Sequence, residues 1–144
     1  MIFKSAESAI KTLLQAAIDE VVGKGFVPVL TSDEIETKPE MPYVVIQCTE
    51  DEEMISPGCG IFKVQGDLLF RSHTKATPAK IKNAVLDAIN NFAYDSTAAK
   101  LSAVKGFHCH GWHPTIGTMT PNNDAKSTDY LMKYWIYCMA MDNS

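Results

Sequence analysis

Residues 62–71 run Phe62-Lys63-Val64-Gln65-Gly66-Asp67-Leu68-Leu69-Phe70-Arg71. On an extended chain, Phe62, Val64, Leu68 and Phe70 fall on one face and Lys63, Gln65, Asp67 and Arg71 on the other, because successive strand side chains point to opposite sides. One face is buried and one is wet, which is the signature of an antiparallel sheet. Just upstream, Tyr43-Val44-Val45-Ile46-Gln47-Cys48 is a second β-rich run. A turn at Glu50 to Gly60, containing Pro57 and Gly58, joins the two runs.

Outside this hairpin the period changes. Ala6, Ala9, Ile10, Leu13, Leu14, Ala17, Ile18, Val21 and Val22 recur at three- and four-residue steps and predict an amphipathic helix. Ser5 is placed to cap its start, and Gly23 or Gly25 to end it. Glu7, Lys11, Gln15 and Asp19 are expected on its wet face. Residues 31–42 form an acidic loop closed by two prolines. Downstream, Thr77-Pro78 opens a second helix with a hydroxyl cap, and Ile81, Ala84, Val85, Ala88, Ile89 and Phe92 supply its stripe. A short helical turn is expected around Ser96–Ala103. Two further strands follow, Gly106–Trp112 and Tyr130–Met141, separated by a long polar loop over residues 114–129.

These elements predict one α+β domain spanning 1–144. It has a mainly antiparallel four-stranded sheet packed with two amphipathic helices, in the order helix-strand-strand-helix-strand-strand. The last strand is apolar on both faces, with Tyr134, Ile136 and Cys138 on one and Trp135, Tyr137, Met139 and Met141 on the other. Either helices cover both sheet faces or a partner subunit covers one.

Composition narrows the class. With 46% hydrophobic residues in a chain of 144, disorder is excluded. No run approaches the roughly 18–20 apolar residues that cross a bilayer. The N-terminus carries charges in every turn, unlike a signal peptide or anchor. Without a secretion signal, Cys48, Cys59, Cys109 and Cys138 are expected as reduced thiols of a cytosolic protein. The net charge of −4 is unevenly spread. Residues 31–53 hold eight acids (Asp33, Glu34, Glu36, Glu40, Glu50, Asp51, Glu52 and Glu53) against Lys38 alone. Residues 54–144 hold nine bases against six acids. Such an acidic pole can dock copies head to tail or steer a cationic partner; two acidic loops that keep the chain soluble account for the same charge. No basic cluster suits duplex nucleic acid.

The histidines are the chemistry to weigh. In Phe107-His108-Cys109-His110-Gly111-Trp112-His113, a strand puts His108 and His110 on one face, and His113 or His73 could complete a zinc site open to water. No acid lies within ten positions to orient those rings, so a half-exposed sheet face or a subunit contact is the competing reading. Cys109 cannot use His108 or His110 as base, because strand neighbours point apart. Glu50–Glu53 lacks the ligand alternation and central glycine of a calcium loop and is expected as a solvated hairpin turn or an interface. Gly58-Cys59-Gly60 precedes no helix, which argues against a phosphate cradle, and no nucleophile-elbow or P-loop motif is present.

The layout resembles the tail terminator (tail completion) proteins of long-tailed bacteriophages. The likeness rests on the N-terminal amphipathic helix, the strand entry Pro42-Tyr43-Val44-Val45-Ile46 and the long alternating strand. The helix opening Thr77-Pro78-Ala79-Lys80-Ile81 and the aromatic closing strand Tyr130-Leu131-Met132-Lys133-Tyr134-Trp135-Ile136-Tyr137 complete it. The resemblance implies a structural virion protein without catalysis or cofactor, assembled in the host cytoplasm. It would form a ring, usually hexameric, that caps the tail tube, stops its polymerisation and joins the tail to the head. Its partners would be further copies of itself, the tail tube protein and a neck or head-completion protein, with no membrane and no specific nucleic acid. Asp33, Glu34, Glu36, Glu50, Asp51, Glu52, Glu53, Trp135 and Tyr137 are the expected subunit or partner contacts. The His-Cys-His stretch is foreign to that pattern. A zinc-binding domain or zinc-dependent hydrolase built on His108, His110 and His113 is the alternative, and a bacterial adaptor domain of the same fold is a third.

Overall fold

Helix α1 (Ile2–Val22) forms on its apolar stripe and buries Ala6, Ala9, Ile10, Leu14 and Ile18 completely. Each of the larger side chains contributes about 1.5–3 kcal/mol by leaving water. In the computed structural model, residues 2–34, 40–53, 60–95, 97–104, 107–124 and 126–140 are described, with the backbone alone at 2–5, 49–53, 98 and 140. The helix already begins at Ile2, so Ser5 lies a turn inside it and not at its cap. Gly23 ends it in the left-handed region, its N–H bonded to the Asp19 carbonyl.

The wet face expected for α1 needs correction. Glu7 is only 2% exposed, and the polar stripe packs along the chain that follows the helix. Gln15 Oε1 accepts from Val29 N at 2.7 Å, while its Nε2 donates to the Val27 carbonyl at 3.1 Å. The side chain thus pairs with this segment as a neighbouring strand would. Lys11 reaches Glu34 at 2.6 Å, and Asp19 accepts from Gly25 N.

The expected four-stranded, mainly antiparallel sheet with two helices is not what forms, although the class is α+β. Among the described residues there are six strands and three helices. The strands are β1 (Val29–Leu30), β2 (Tyr43–Glu53), β3 (Phe62–His73), β4 (Phe107–Pro114), β5 (Thr118–Asn122) and β6 (Ser127–Ala140). Helices α2 (Ala79–Tyr94) and α3 (Thr97–Ser102) lie between β3 and β4. The sheet runs β1-β2-β3-β6-β4, with β5 also on β6. It is mixed because β1 is parallel to β2, Val29 facing Val44; the other pairs are antiparallel.

Both extra strands have a physical reason for being hidden. Two residues cannot display an alternation, so β1 carries no period of its own. Strand β5, Thr118-Met119-Thr120-Pro121-Asn122, is exposed along nearly its whole length and lacks a buried face. The segment expected as a 114–129 loop is therefore mostly hairpin, with β5 returning into β6 through a tight turn at Asn123–Lys126.

Helix α2 starts after Pro78 with no side-chain cap. The Thr77 hydroxyl accepts instead from His73 N at 3.0 Å and closes the turn out of β3. Helix α3 is tied to β4 because Ser102 Oγ accepts from Cys109 N and donates to the Cys109 carbonyl.

All three helices pack on one sheet face. Val44, Ile46, Val64, Leu68, Phe70, Met132, Tyr134, Ile136 and Cys138 meet Ile10, Leu14, Ile18, Val85, Ile89 and Leu101 there. Trp112 seals this layer: it stacks on Tyr134 at 4.8 Å and donates from Nε1 to the Ala93 carbonyl at 2.8 Å. Helices covering both sheet faces, one of the two expectations for the closing strand, are thus not seen among the described residues.

Candidate functional site

The opposite face of the sheet, without a helix, carries the odd-numbered residues of β6 and their cross-strand neighbours. Gln65 faces Trp135, Lys63 faces Tyr137, His113 faces Trp135 from the other side, and Gly111 faces Tyr137. A bulge between Cys109 and Gly111 inserts His110 and moves the strand by one residue. As a result His113, and not Trp112, shares a face with Trp135.

These side chains make an ordered array. The His113 ring lies over Trp135 at 5.4 Å and 24° and meets Tyr137 edge-on at 5.5 Å. Lys63 Nζ sits 5.7 Å from the Trp135 ring centre on the other flank. Gly111 makes room for the packing, since a Cβ there would lie 3.3 Å from both His113 Nε2 and Tyr137 Cδ2. His108 and His110 form a second pair, ring to ring at 4.5 Å.

This geometry does not favour a zinc centre. His113 is spent on the aromatic pair, and among the described residues no three His, Cys, Asp or Glu side chains are placed to hold a metal ion. His73 faces Ser127, whereas His113 faces Trp135. Eight strand residues separate those levels, or about 26 Å. Cys48, Cys109 and Cys138 are buried free thiols, and Cys59 lies outside the described residues. Burial pushes the Cys48 thiol up to about 12, with a Tyr134 hydroxyl contact pulling the other way. Burial also raises Cys109. Neither supplies a thiolate at neutral pH.

The acidic contacts fall at the far side of the sheet. The Glu7 carboxylate accepts from Ser32 N and Oγ and from Cys48 N, so the 31–34 segment and the β2 run start from one anchor. Glu50–Glu53 is strand and not the solvated turn expected. A bulge after Cys48 puts Glu50 in register with Gln65 and Glu52 with Lys63, while Asp51 and Glu53 oppose Val64 and Phe62. Glu34 is engaged within the chain: Lys11 and Thr31 bond its carboxylate and hold it below the ordinary value. Asp33 is exposed, and Glu36 lies outside the described residues. Trp135 and Tyr137 are two strands from β2, about 10 Å across the sheet.

Further along the same face, Arg71 holds Asp129 through two hydrogen bonds of 3.0 and 2.9 Å. Burial alone would raise the Asp129 carboxyl, but bonds from Arg71 and Ser127 bring it below its usual value. Beyond the end of β4, Ile116 is 87% exposed and Met119 54%. Neither was singled out in the sequence. The run Asn122-Asn123-Asp124 after Pro121 is the turn signal that could have revealed the hairpin presenting them. No protein-family model and no curated protein matches the chain.

Proposed function

We propose that this chain is a structural assembly protein that works as a ring of copies, in the manner of the phage tail terminators its sequence layout resembles. The observation that carries this reading is the sheet face without a helix, on which Trp135, Tyr137, Met139 and His113 remain only partly covered. A small domain that leaves aromatic residues on a flat sheet gains most by burying them against another subunit. On β2, Glu50 and Glu52 stand in register with Gln65 and Lys63, so the acidic strand is placed to meet a cationic surface of the next copy. Exposed Ile116 and Met119 supply a separate apolar contact for a tail tube or neck protein. The role is mechanical, placed in the virion at the tail–neck junction, and uses no cofactor or catalytic group.

Native mass spectrometry of the purified protein tests the reading. A ring-sized oligomer, with six copies as the first expectation, should form and should fall to monomer in Trp135→Ala/Tyr137→Ala. Assembly unchanged in that variant, or a monomer both alone and with tail tube protein added, would remove the basis for it. Neutralising Glu50–Glu53 to Gln tests the charge component separately.

A further inference from the structure

At the end of the sheet away from the His108–His110 pair, two turns border an open cleft of about 500 Å³. One is the turn from β3 into α2, residues 73–76, and the other is the β5–β6 turn with Asn122, Asn123 and Lys126. They are fastened together. Thr74 N donates to the Lys126 carbonyl at 3.1 Å, the Thr74 and Thr128 hydroxyls meet at 3.4 Å, and His73 pairs with Ser127 in the ladder. Lys82 braces the first turn from behind by donating to the Thr74 carbonyl at 2.9 Å.

The composition of the lining is one-sided. Lys75 and Lys126 carry ammonium groups, and His73, Asn123 and Thr74 carry neutral polar groups; Asn122 bonds the Asp129 carboxylate, and the one acid of the same turn, Asp124, is exposed and is not among the lining residues. This is a local reversal in a chain of net charge −4. The nearest acid on the ladder, Asp129, is already held by Arg71. Lys126 has φ +53, a left-handed conformation that lysine rarely adopts, in the turn that borders the cleft.

We propose that this cleft binds the phosphate group of a small phosphorylated molecule. Two ammonium groups balance one phosphate dianion, and the Asn123 amide and Thr74 hydroxyl supply directional bonds to its oxygens. The volume lies within the range of small-ligand sites. Duplex nucleic acid is a poor occupant, because two lysines neutralise too few phosphates and the rest of the chain repels a polyanion. The site is at the other end of the sheet from His108, His110 and His113, and its test does not depend on ring formation.

The experiment is a ¹H–¹⁵N NMR titration of the full chain with inorganic phosphate at constant ionic strength. It is repeated on Lys75→Gln/Lys126→Gln and on a control, Lys80→Gln/Lys100→Gln. Saturable shifts should centre on residues 73–76 and 122–126, and the first variant should weaken binding at least about tenfold, the loss of one charge-assisted contact or more. The control should bind as wild type does. All four lysines are exposed or bonded only at the surface, and an unchanged spectrum elsewhere verifies the fold. Shifts scattered over lysines throughout the chain, equal weakening in the control, or unchanged affinity in the first variant would overturn the proposal. A short DNA duplex serves as a further arm, where binding tighter than that of phosphate and steeply salt-dependent would overturn the small-molecule assignment.

Discussion

Replacing Glu7 with Ala should destabilise the protein by about 2–4 kcal/mol, although the heptad-like spacing of α1 would class this residue as solvent-facing and near neutral. The carboxylate accepts from Ser32 N at 2.7 Å, from Ser32 Oγ at 2.6 and 2.9 Å, and from Cys48 N at 3.3 Å. Cys48 is buried, so its N–H would lose its side-chain partner where water does not reach, at about 1–3 kcal/mol. Ser32 is half-buried; water recovers part of its loss, leaving about 0.5–1.5 kcal/mol. Removing a buried carboxylate also returns its desolvation cost, which keeps the sum below the gross value of four bonds. Glu7→Gln retains one acceptor oxygen and should lose about half as much. The assay is urea unfolding followed by the fluorescence of Trp112 and Trp135. With a slope of about 2 kcal/mol per molar, the Ala variant should move the midpoint down by about 1–2 M. A Glu7→Ala/Ser32→Ala cycle should show coupling, because the two residues share bonds. A midpoint within about 0.3 M of wild type would refute the reasoning and return Glu7 to the solvent.

Gly66→Ala should cost at least about 2 kcal/mol, because its Cβ would lie 2.6 Å from the buried Tyr134 hydroxyl and 2.8 Å from the Gln47 carbonyl. Thermal unfolding measures this, and Gly66→Ala/Tyr134→Phe should regain part of the loss; near-wild-type stability of the single variant would contradict the packing. Asp129, held below its usual carboxyl value, contributes stability that is present above the ordinary aspartate value of 3.8 and lost as pH falls through the lower folded value. The stability gap between wild type and Asp129→Asn should therefore close in acid, and a gap constant from neutral pH to well below that value would count against the Arg71 pair. Cys48, raised to about 12, should resist iodoacetamide in the native protein at pH 8 and label only as the chain unfolds in urea. Mass spectrometry of the labelled peptides reads the outcome, and rapid native labelling of Cys48 would show that its burial is wrong.

What could be read from the residues alone follows the rule that long periodic segments announce themselves and short or polar ones do not. Strand β3 matches its alternation from Phe62 onward, and the stripes of α1 and α2 are the buried or half-buried sides except at Val21, which is 52% exposed near the end of α1. Val29–Leu30 is too brief to show a period, and the Thr118–Asn122 strand has no hydrophobic face because nothing packs above or below it. Glu7 was misread because a helix wheel knows only its own axis; the chain after Gly25 doubles back and covers the polar side. At the candidate site, the doubly apolar pattern of β6 correctly set Trp135 and Tyr137 on a face of their own. The partnership of His113 with that pair depends on the bulge at His110, which a strict two-residue alternation cannot anticipate. The phosphate-type cleft joins residues about fifty positions apart and leaves no local mark in the sequence.

Strand β6 is flanked along most of its length, by β3 on one side and by β4 and then β5 on the other. It is also synthesised after every strand that pairs with it. While the chain leaves the ribosome, the β2–β3 hairpin has formed but the inner edge of β3 has no neighbour, and β4 has no place in a sheet. Closure waits for residues 127–140, so native structure arrives in one late step built on contacts far apart in sequence. During that interval the β3 edge is the surface most open to pairing with the wrong chain. A nascent chain stalled at residue 126 should be captured by holdase chaperones and degraded, whereas the full chain stalled behind an added C-terminal linker of roughly forty residues, enough to clear the ribosome, should already resist protease.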